Sequence, residues 1–178
     1  MSGVTDRYRY SSIGCRVYKG LLDNERLADM TAHVRRATTA DAETIAPLFD
    51  GYRQFYRQVS DLPLALAFIR ERLSLNESVI FLVKDEQGRP LGFTQLYPSF
   101  TSVGAGRLWI LNDLFVIPAV RGRGVGQALL NAAKAHAIET GAKRLVLSTA
   151  HDNPAQKLYE SLGYVRDREF YHYSLAVD

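Results

Sequence analysis

The succession of apolar and turn-forming segments predicts an α/β fold: a mixed, mostly antiparallel central sheet flanked by helices. Three observations carry that expectation. Strand-like and helix-like segments follow one another as β-α-α-β-β-β-α-β-α-β-β. Residues 107–117 form a near-continuous apolar run, which implies a strand covered on both faces. A glycine-rich turn, Arg121-Gly122-Arg123-Gly124-Val125-Gly126, joins that run to a helical pattern that begins at Gln127.

The elements can be justified in order. Residues 1–30 read as an N-terminal extension and 31–178 as one domain. The extension holds Tyr8, Tyr10 and Tyr18 without clear period, and 21–30 has the composition of a short helix. Residues 34–37 read as the first strand. Thr39 or Asp41 caps a helix reaching about Tyr56, with Ile45, Leu48, Phe49, Tyr52 and Tyr56 at helical spacing. A second helix follows Pro63, over 64–75. Residues 78–84 alternate, 85–90 form a hairpin turn, and 91–97 answer as the paired strand. Pro118 stops the strand at 107–117. The helix over 124–140 presents Val125, Ala128, Leu129, Ala132, Ala133 and Ala137 on one face, and its alanines allow close approach to a sheet. Gly141 ends it. Residues 145–149 read as a strand. Asn153 then caps a helix with Pro154 in its first position, and Gly163 closes it. Residues 165–169 and 171–177 are expected as a final pair of strands.

Composition narrows the functional classes. At 178 residues, with 47% apolar and 23% charged, the chain suits a globular domain with its own core. A single cysteine, Cys15, excludes an internal disulfide. No apolar stretch reaches the length of a membrane span, and no secretory signal is evident, so a cytoplasmic location is expected. The net charge of +3 is spread along the chain without a basic block, which argues against nucleic acid as a partner.

The glycine turn carries the chemistry. Glycines accept positive φ and let an anion approach the backbone. The first amides of a helix lack intrahelical partners, and the helix dipole adds positive charge there. Arg121 and Arg123 add charge-assisted donors. The turn therefore reads as a grip for a diphosphate. A Walker loop would need Lys and Ser or Thr after the last glycine, where Gln127 and Ala128 stand. A dinucleotide fingerprint fails in both registers, at Gln127 and at Leu129.

The pattern Arg-x-x-Gly-x-Gly at 121–126, between a strand and a helix, resembles the acetyl-coenzyme A loop of the GNAT superfamily of N-acetyltransferases. The stretch Asn153-Pro154-Ala155-Gln156-Lys157-Leu158-Tyr159-Glu160-Ser161-Leu162-Gly163-Tyr164 is similar to the family's following helix. Val34 to Thr38, with Asp41-Ala42-Glu43, is similar to its opening strand and first helix. The resemblance covers roughly 33–175. It implies acetyl-CoA as cofactor and a V-shaped splay between the central strands. It further implies acetyl transfer to a primary amine by direct attack in a ternary complex. Arg121, Gly122, Arg123, Gly124, Val125, Gly126 and Gln127 would hold the diphosphate. The backbone of Leu114, Phe115 and Val116 would pair with the pantetheine arm. Tyr159 would be the general acid toward the leaving thiolate.

Two positions depart from the family pattern. A glutamate nine residues before the loop arginine is replaced by Asn112, so the base is expected to be Asp113 or a water held by Asn112. Asp113 faces away from its neighbour on a regular strand, unless a bulge turns it. The cofactor-contacting asparagine falls one position late, at Asn153, which equally suits a helix cap. Asp50, Tyr52, Phe55 and Tyr56 on the first helix suit an aromatic and acidic wall for a cationic amine, although the aromatics also fit a plain core. The segments 109–116 and 49–56 resemble a histone- and polyamine-acetyltransferase-like branch. The acceptor stays open among polyamine, lysine side chain, amino acid and aminoglycoside. A non-catalytic acyl-CoA-binding module is the alternative that Asn112 leaves standing. Many family members are dimers, and Phe170-Tyr171-His172-Tyr173 suits a homodimer interface.

Overall fold

The computed structural model of the protein describes residues 33–177. The expected extension at 1–30, its short helix and Cys15 lie outside the described residues. The chain divides into two compact units, one ending at Val146 and one beginning at Leu147.

The first unit is a five-stranded sheet in the order β1-β2-β3-β4-β5. Its strands are β1 (His33–Arg36), β2 (Val79–Lys84), β3 (Pro90–Thr101), β4 (Gly106–Val116) and β5 (Arg144–Val146). The first four pair antiparallel and β5 runs parallel to β4. Helices α1 (Ala42–Phe55) and α3 (Val125–Glu139) pack on β3 and β4, while α2 (Leu62–Ser74) packs on α1. The sheet is mixed and mostly antiparallel, as the sequence led one to expect.

Local chemistry explains the boundaries. Asp41 accepts from the Thr38 amide at 2.9 Å and from the Arg35 guanidinium at 2.8 Å, closing a capping box ahead of α1. Hydrogen bonding to Arg35 holds the Asp41 carboxyl well below the usual carboxylate range. Asp61 caps α2 by accepting from the Leu64 amide at 3.0 Å. In the β2–β3 hairpin Asp85 accepts the amides of Gln87 and Arg89, at 3.1 and 2.8 Å, and Gly88 takes φ +77°. α3 ends as expected. Gly141 adopts φ +65°, and the Ala142 amide reaches back to the Ala137 carbonyl at 2.9 Å.

The core lies where the helices meet the sheet. Ile45 and Leu48 of α1, Phe93 and Leu96 of β3, and Leu129 and Leu130 of α3 are fully buried. Phe49 stacks on Phe68 at 5.1 Å and meets Phe93 edge-on. Gly92 is needed for close approach: a Cβ there would stand 2.4 Å from the Phe115 carbonyl oxygen.

Two irregularities shape β4. Its register against β3 slips between Gln95↔Asp113 and Leu96↔Leu111, so Asn112 is an extra residue in a β-bulge. Its pairing with β5 covers only Leu108, Trp109 and Ile110. From Leu111 to Val116 the β5 side of β4 carries no ladder among the described residues, in keeping with the expected splay.

The second unit contains α4 (Gln156–Ser161). Three expectations are corrected. β5 stops at Val146, short of the expected 149. α4 begins at Gln156, because the Asn153 side chain accepts from the Ala155 amide at 3.0 Å and holds Pro154 and Ala155 in a turn. Pro154 is thus not the first helical residue. No strand forms over 165–177. Asp167 accepts the amides of Glu169 and Phe170, at 2.8 and 3.1 Å, which breaks the extended run. The alternating apolar residues beyond it are exposed, and alternation makes a strand only where an edge receives it. The C-terminal end of α4 is as expected. Gly163 has φ +88°, and the Tyr164 amide donates to the Tyr159 carbonyl at 3.1 Å.

Candidate active site

The turn after β4 forms from residues that cannot continue a strand. Residues Pro118–Val120 make one 3-10 turn. Gly122 and Gly124 then take φ +74° and +83°, which side chains with a Cβ rarely adopt. Gly124 caps α3, and the Ala128 amide donates to the Gly124 carbonyl at 2.9 Å. The amides of Val125, Gly126 and Gln127 precede that first intrahelical bond and point out of the helix end. A Cβ at Gly122 or Gly124 would meet nothing within 4 Å, so the outer side of the turn is open. An open turn of left-handed glycines on a helix N-terminus fits a diphosphate. The two arginines differ. Arg121 donates to the Val116 carbonyl at 2.9 Å, and its guanidinium lies over the rings of Phe55 and Phe115 at 5.7 and 5.8 Å. Arg123 is exposed beside the turn.

Leu114, Phe115 and Val116 stand on the stretch of β4 beyond the β5 ladder, next to the bulge. Just before them, at the bulge, the side chains of the neighbours Asn112 and Asp113 come within hydrogen-bond reach, although their exposure differs. Asn112 is exposed, while Asp113 retains only 2% of its surface. Both carboxylate oxygens of Asp113 are engaged. Oδ2 accepts from Gln95 Nε2 at 2.6 Å and Oδ1 from Asn112 Nδ2 at 3.0 Å. Burial pushes the Asp113 pKa up, and hydrogen bonds from Gln95, Tyr52 and Asn112 oppose that shift. The Tyr52 hydroxyl also donates to the Asn112 carbonyl at 3.1 Å. Sequence reading missed Gln95, Ser78 and Tyr97. Gln95 is fully buried, accepts from Ser78 Oγ at 2.9 Å and donates to the Tyr97 hydroxyl at 2.9 Å. Burial, then the Asp113 charge, pushes the Tyr97 phenol up to about 12. One signal was available: a glutamine between Phe93 and Leu96, beside Thr94, in the middle of a strand that carries core residues.

On α1 the predicted acceptor wall separates into two groups. Tyr52, Phe55 and Tyr56 form an edge-to-face cluster, with Tyr56 5.1 Å from each of the other rings, and Phe55 and Tyr56 are exposed. Asp50 is buried and occupied. It accepts from Ser60 Oγ at 2.6 Å, the Asp61 amide at 2.8 Å and Gln54 Nε2 at 2.8 Å, and pairs with Arg53 at 3.4 Å. Its place is at the base of the α1–α2 connection.

In the second unit Tyr159 lies on α4, buried, its ring 5.8 Å from that of Tyr164. Burial raises the Tyr164 phenol to about 12. Asn153 donates to Thr149 Oγ1 at 2.8 Å while it holds the turn before α4.

Comparisons with known proteins agree with this arrangement. The model of the acetyltransferase (GNAT) family matches residues 44–164. The chain is 54% identical over 146 residues to the uncharacterized N-acetyltransferase YhfO of Bacillus subtilis (strain 168), covering 82% of this chain and 97% of the relative. The crystal structure of a probable acetyltransferase superposes with a TM-score of 0.77 at 44% identity, over 82% of this chain and 98% of the other. The aminoglycoside N-acetyltransferase AAC(6')-Iy, solved in complex with CoA, shares the fold with a TM-score of 0.69 at 19% identity, over 85% and 99%. With the loop, the sheet and these relatives in agreement, the chain belongs to the acetyltransferase (GNAT) family and is an acetyl-CoA-dependent N-acetyltransferase.

Proposed function

We propose that the protein transfers the acetyl group of acetyl-CoA directly to a primary amine in a ternary complex. The observation that carries this reading is the open turn at 121–127. Its two left-handed glycines and three outward amides suit a diphosphate, and it stands beside the exposed aromatic cluster of α1. When bound, acetyl-CoA supplies an acetyl group already activated as a thioester.

The chain's own residues have three tasks. The amides at 125–127 and Arg123 hold the diphosphate, with Arg121 bracing the turn against β4. The backbone of Leu114, Phe115 and Val116 aligns the pantetheine arm along the open side of β4. The acceptor must lose a proton, because an alkylammonium titrates near about 10.4. Asp113 takes that proton. Its carboxylate is nearly sealed, so the transfer passes through a water held at exposed Asn112 and the Tyr52 hydroxyl. A raised carboxylate is a better base near neutrality than an ordinary one. Tyr159 gives its phenolic proton to the departing thiolate, which leaves as the free thiol. Asn153 organises the turn before α4.

Tyr52, Phe55 and Tyr56 form the acceptor wall, which suits a cation against ring faces. Asp50 keeps the α1–α2 connection in place and does not pair with the amine. Residues 31–178 act as the catalytic domain and 1–30 as an extension to it. The protein works in the cytoplasm as a homodimer, with the exposed aromatics at 170–173 as the contact.

The deciding experiment is an acceptor screen with acetyl-CoA and free-thiol detection. The panel is spermidine, lysine, a lysine-containing peptide, several amino acids and kanamycin. Thiol release dependent on one amine class supports the reading. CoA-competable binding with no release from any amine overturns it.

A further inference from the structure

Gln95 is a costly residue for its place. It is completely buried on a central strand, opposite the β4 bulge, and every polar atom of its amide is used. Nε2 donates to Asp113 Oδ2 at 2.6 Å and to the Tyr97 hydroxyl at 2.9 Å. Oε1 accepts from Ser78 Oγ at 2.9 Å, and Ser78 is itself buried. A carboxylate can only accept, so Asp113 requires the nitrogen end of the amide, and Ser78 supplies a donor for the oxygen end. The groups facing Asp113 are Gln95 and Tyr97 from β3, Tyr52 from α1 and its neighbour Asn112. The charges of Arg72 on α2 and of Glu77 bear on the cluster through Tyr97. Asp113 thus has no cationic side chain among these hydrogen-bonding partners, and the short bond from Gln95 is the first opposing influence on a burial that favours its neutral form.

We infer that Gln95 is a positioning residue for acetyl transfer: it holds the Asp113 carboxylate in one orientation and in its charged form, and Ser78 fixes which way its amide faces. This rests on the reading of Asp113 as the base. Losing the Gln95 donor leaves the carboxylate buried with fewer partners. Its titration then moves to higher pH, and so does the acidic limb of kcat/KM. Losing Ser78 frees the amide to turn, with the same direction and a smaller size.

The test follows the side-chain carboxyl carbons of 13C-aspartate-labelled protein through a pH titration, with the Asp113 signal assigned by its disappearance in Asp113→Asn. Gln95→Leu is expected to raise the Asp113 midpoint by about one pH unit, the scale of one hydrogen bond to a charged group. Ser78→Ala raises it less, and Ser78→Thr, which keeps the hydroxyl, returns it to the wild-type value. If Gln95→Leu does not fold, the two Ser78 variants carry the test. The pH profile of kcat/KM is taken in parallel with the amine turned over fastest in the acceptor panel. A limb that moves with the carboxyl midpoint supports the inference. An unmoved midpoint in the variants, with Asp113→Asn abolishing the limb, overturns the role of Gln95 and spares the base. An unchanged limb in Asp113→Asn removes the base and, with it, the positioning role.

Discussion

In the proposed reaction Tyr159 and Asp113 are the two side chains that move protons, and single substitutions test each. Tyr159→Phe keeps the ring and its packing beside Tyr164 and removes only the proton. We expect kcat to fall about 100-fold, the low end for a lost general acid, with KM for acetyl-CoA within about twofold. Steady-state thiol-release kinetics measure both, and an unchanged kcat removes the role. For Asp113 the sign follows from burial. The folded protein raises its pKa, so the acid is neutral at pH values where an ordinary aspartate is ionised. The acidic limb of kcat/KM should then lie above the usual value near about 3.9, with activity rising as pH climbs through it. Asp113→Asn flattens that limb. Asn112, by contrast, is accessible, and its carbonyl and amide tie Tyr52 to Asp113.

At the scale of elements, the loop between β4 and α3 and the seam between β3 and β4 make separable demands on glycine. Gly124→Ala meets no neighbour within 4 Å, so its cost is the left-handed backbone, about 1–2 kcal/mol. Gly88→Ala carries the same cost in the β2–β3 hairpin, away from the loop. The two variants should lose similar Tm. Only Gly124→Ala should raise KM for acetyl-CoA, by about tenfold, the equivalent of about 1.4 kcal/mol of lost backbone contact. Equal KM values would separate the loop from the cofactor. Gly92→Ala acts by collision with the Phe115 carbonyl and should cost about 3 kcal/mol by denaturant unfolding.

For the whole molecule, stability should respond to pH through His136. It is buried on α3 against Trp109 and Phe81, at 4.8 and 5.8 Å. Burial first, then Arg36, lowers its pKa. The native state therefore disfavours the charged ring. Its contribution to stability is complete above the unfolded value near about 6.5 and is lost as pH falls below it. Tm should drop between pH 7 and 5, and His136→Gln should lessen that slope. The same loss in both proteins would show that other groups carry it. Light scattering of the full chain should give the mass of a homodimer. A monomeric mass would remove the proposed interface.

Much of this is legible in the amino-acid sequence. Hydrophobic period and turn residues marked the α-helices and strands of the first unit, because burial and caps act locally along the chain, but not the 3-10 turns at 39–41 and 118–120 or the four residues by which β3 passes the expected Tyr97. The glycine turn and helix start at Arg121 to Gly126 were legible for the same reason, since left-handed glycines and a helix start are local features. Folding added what depends on distant partners. The bulge at Asn112 arises from the register between two strands, and it creates a buried acid tied to Ser78, Gln95 and Tyr52, residues up to 61 positions away in sequence. Asp50 was expected as a partner for a cationic amine, and in the structure Ser60 and the Asp61 amide donate to its carboxylate at the turn between α1 and α2. The alternating tail at 171–177 reads as a strand, yet a strand needs an edge, and pairing is decided in three dimensions.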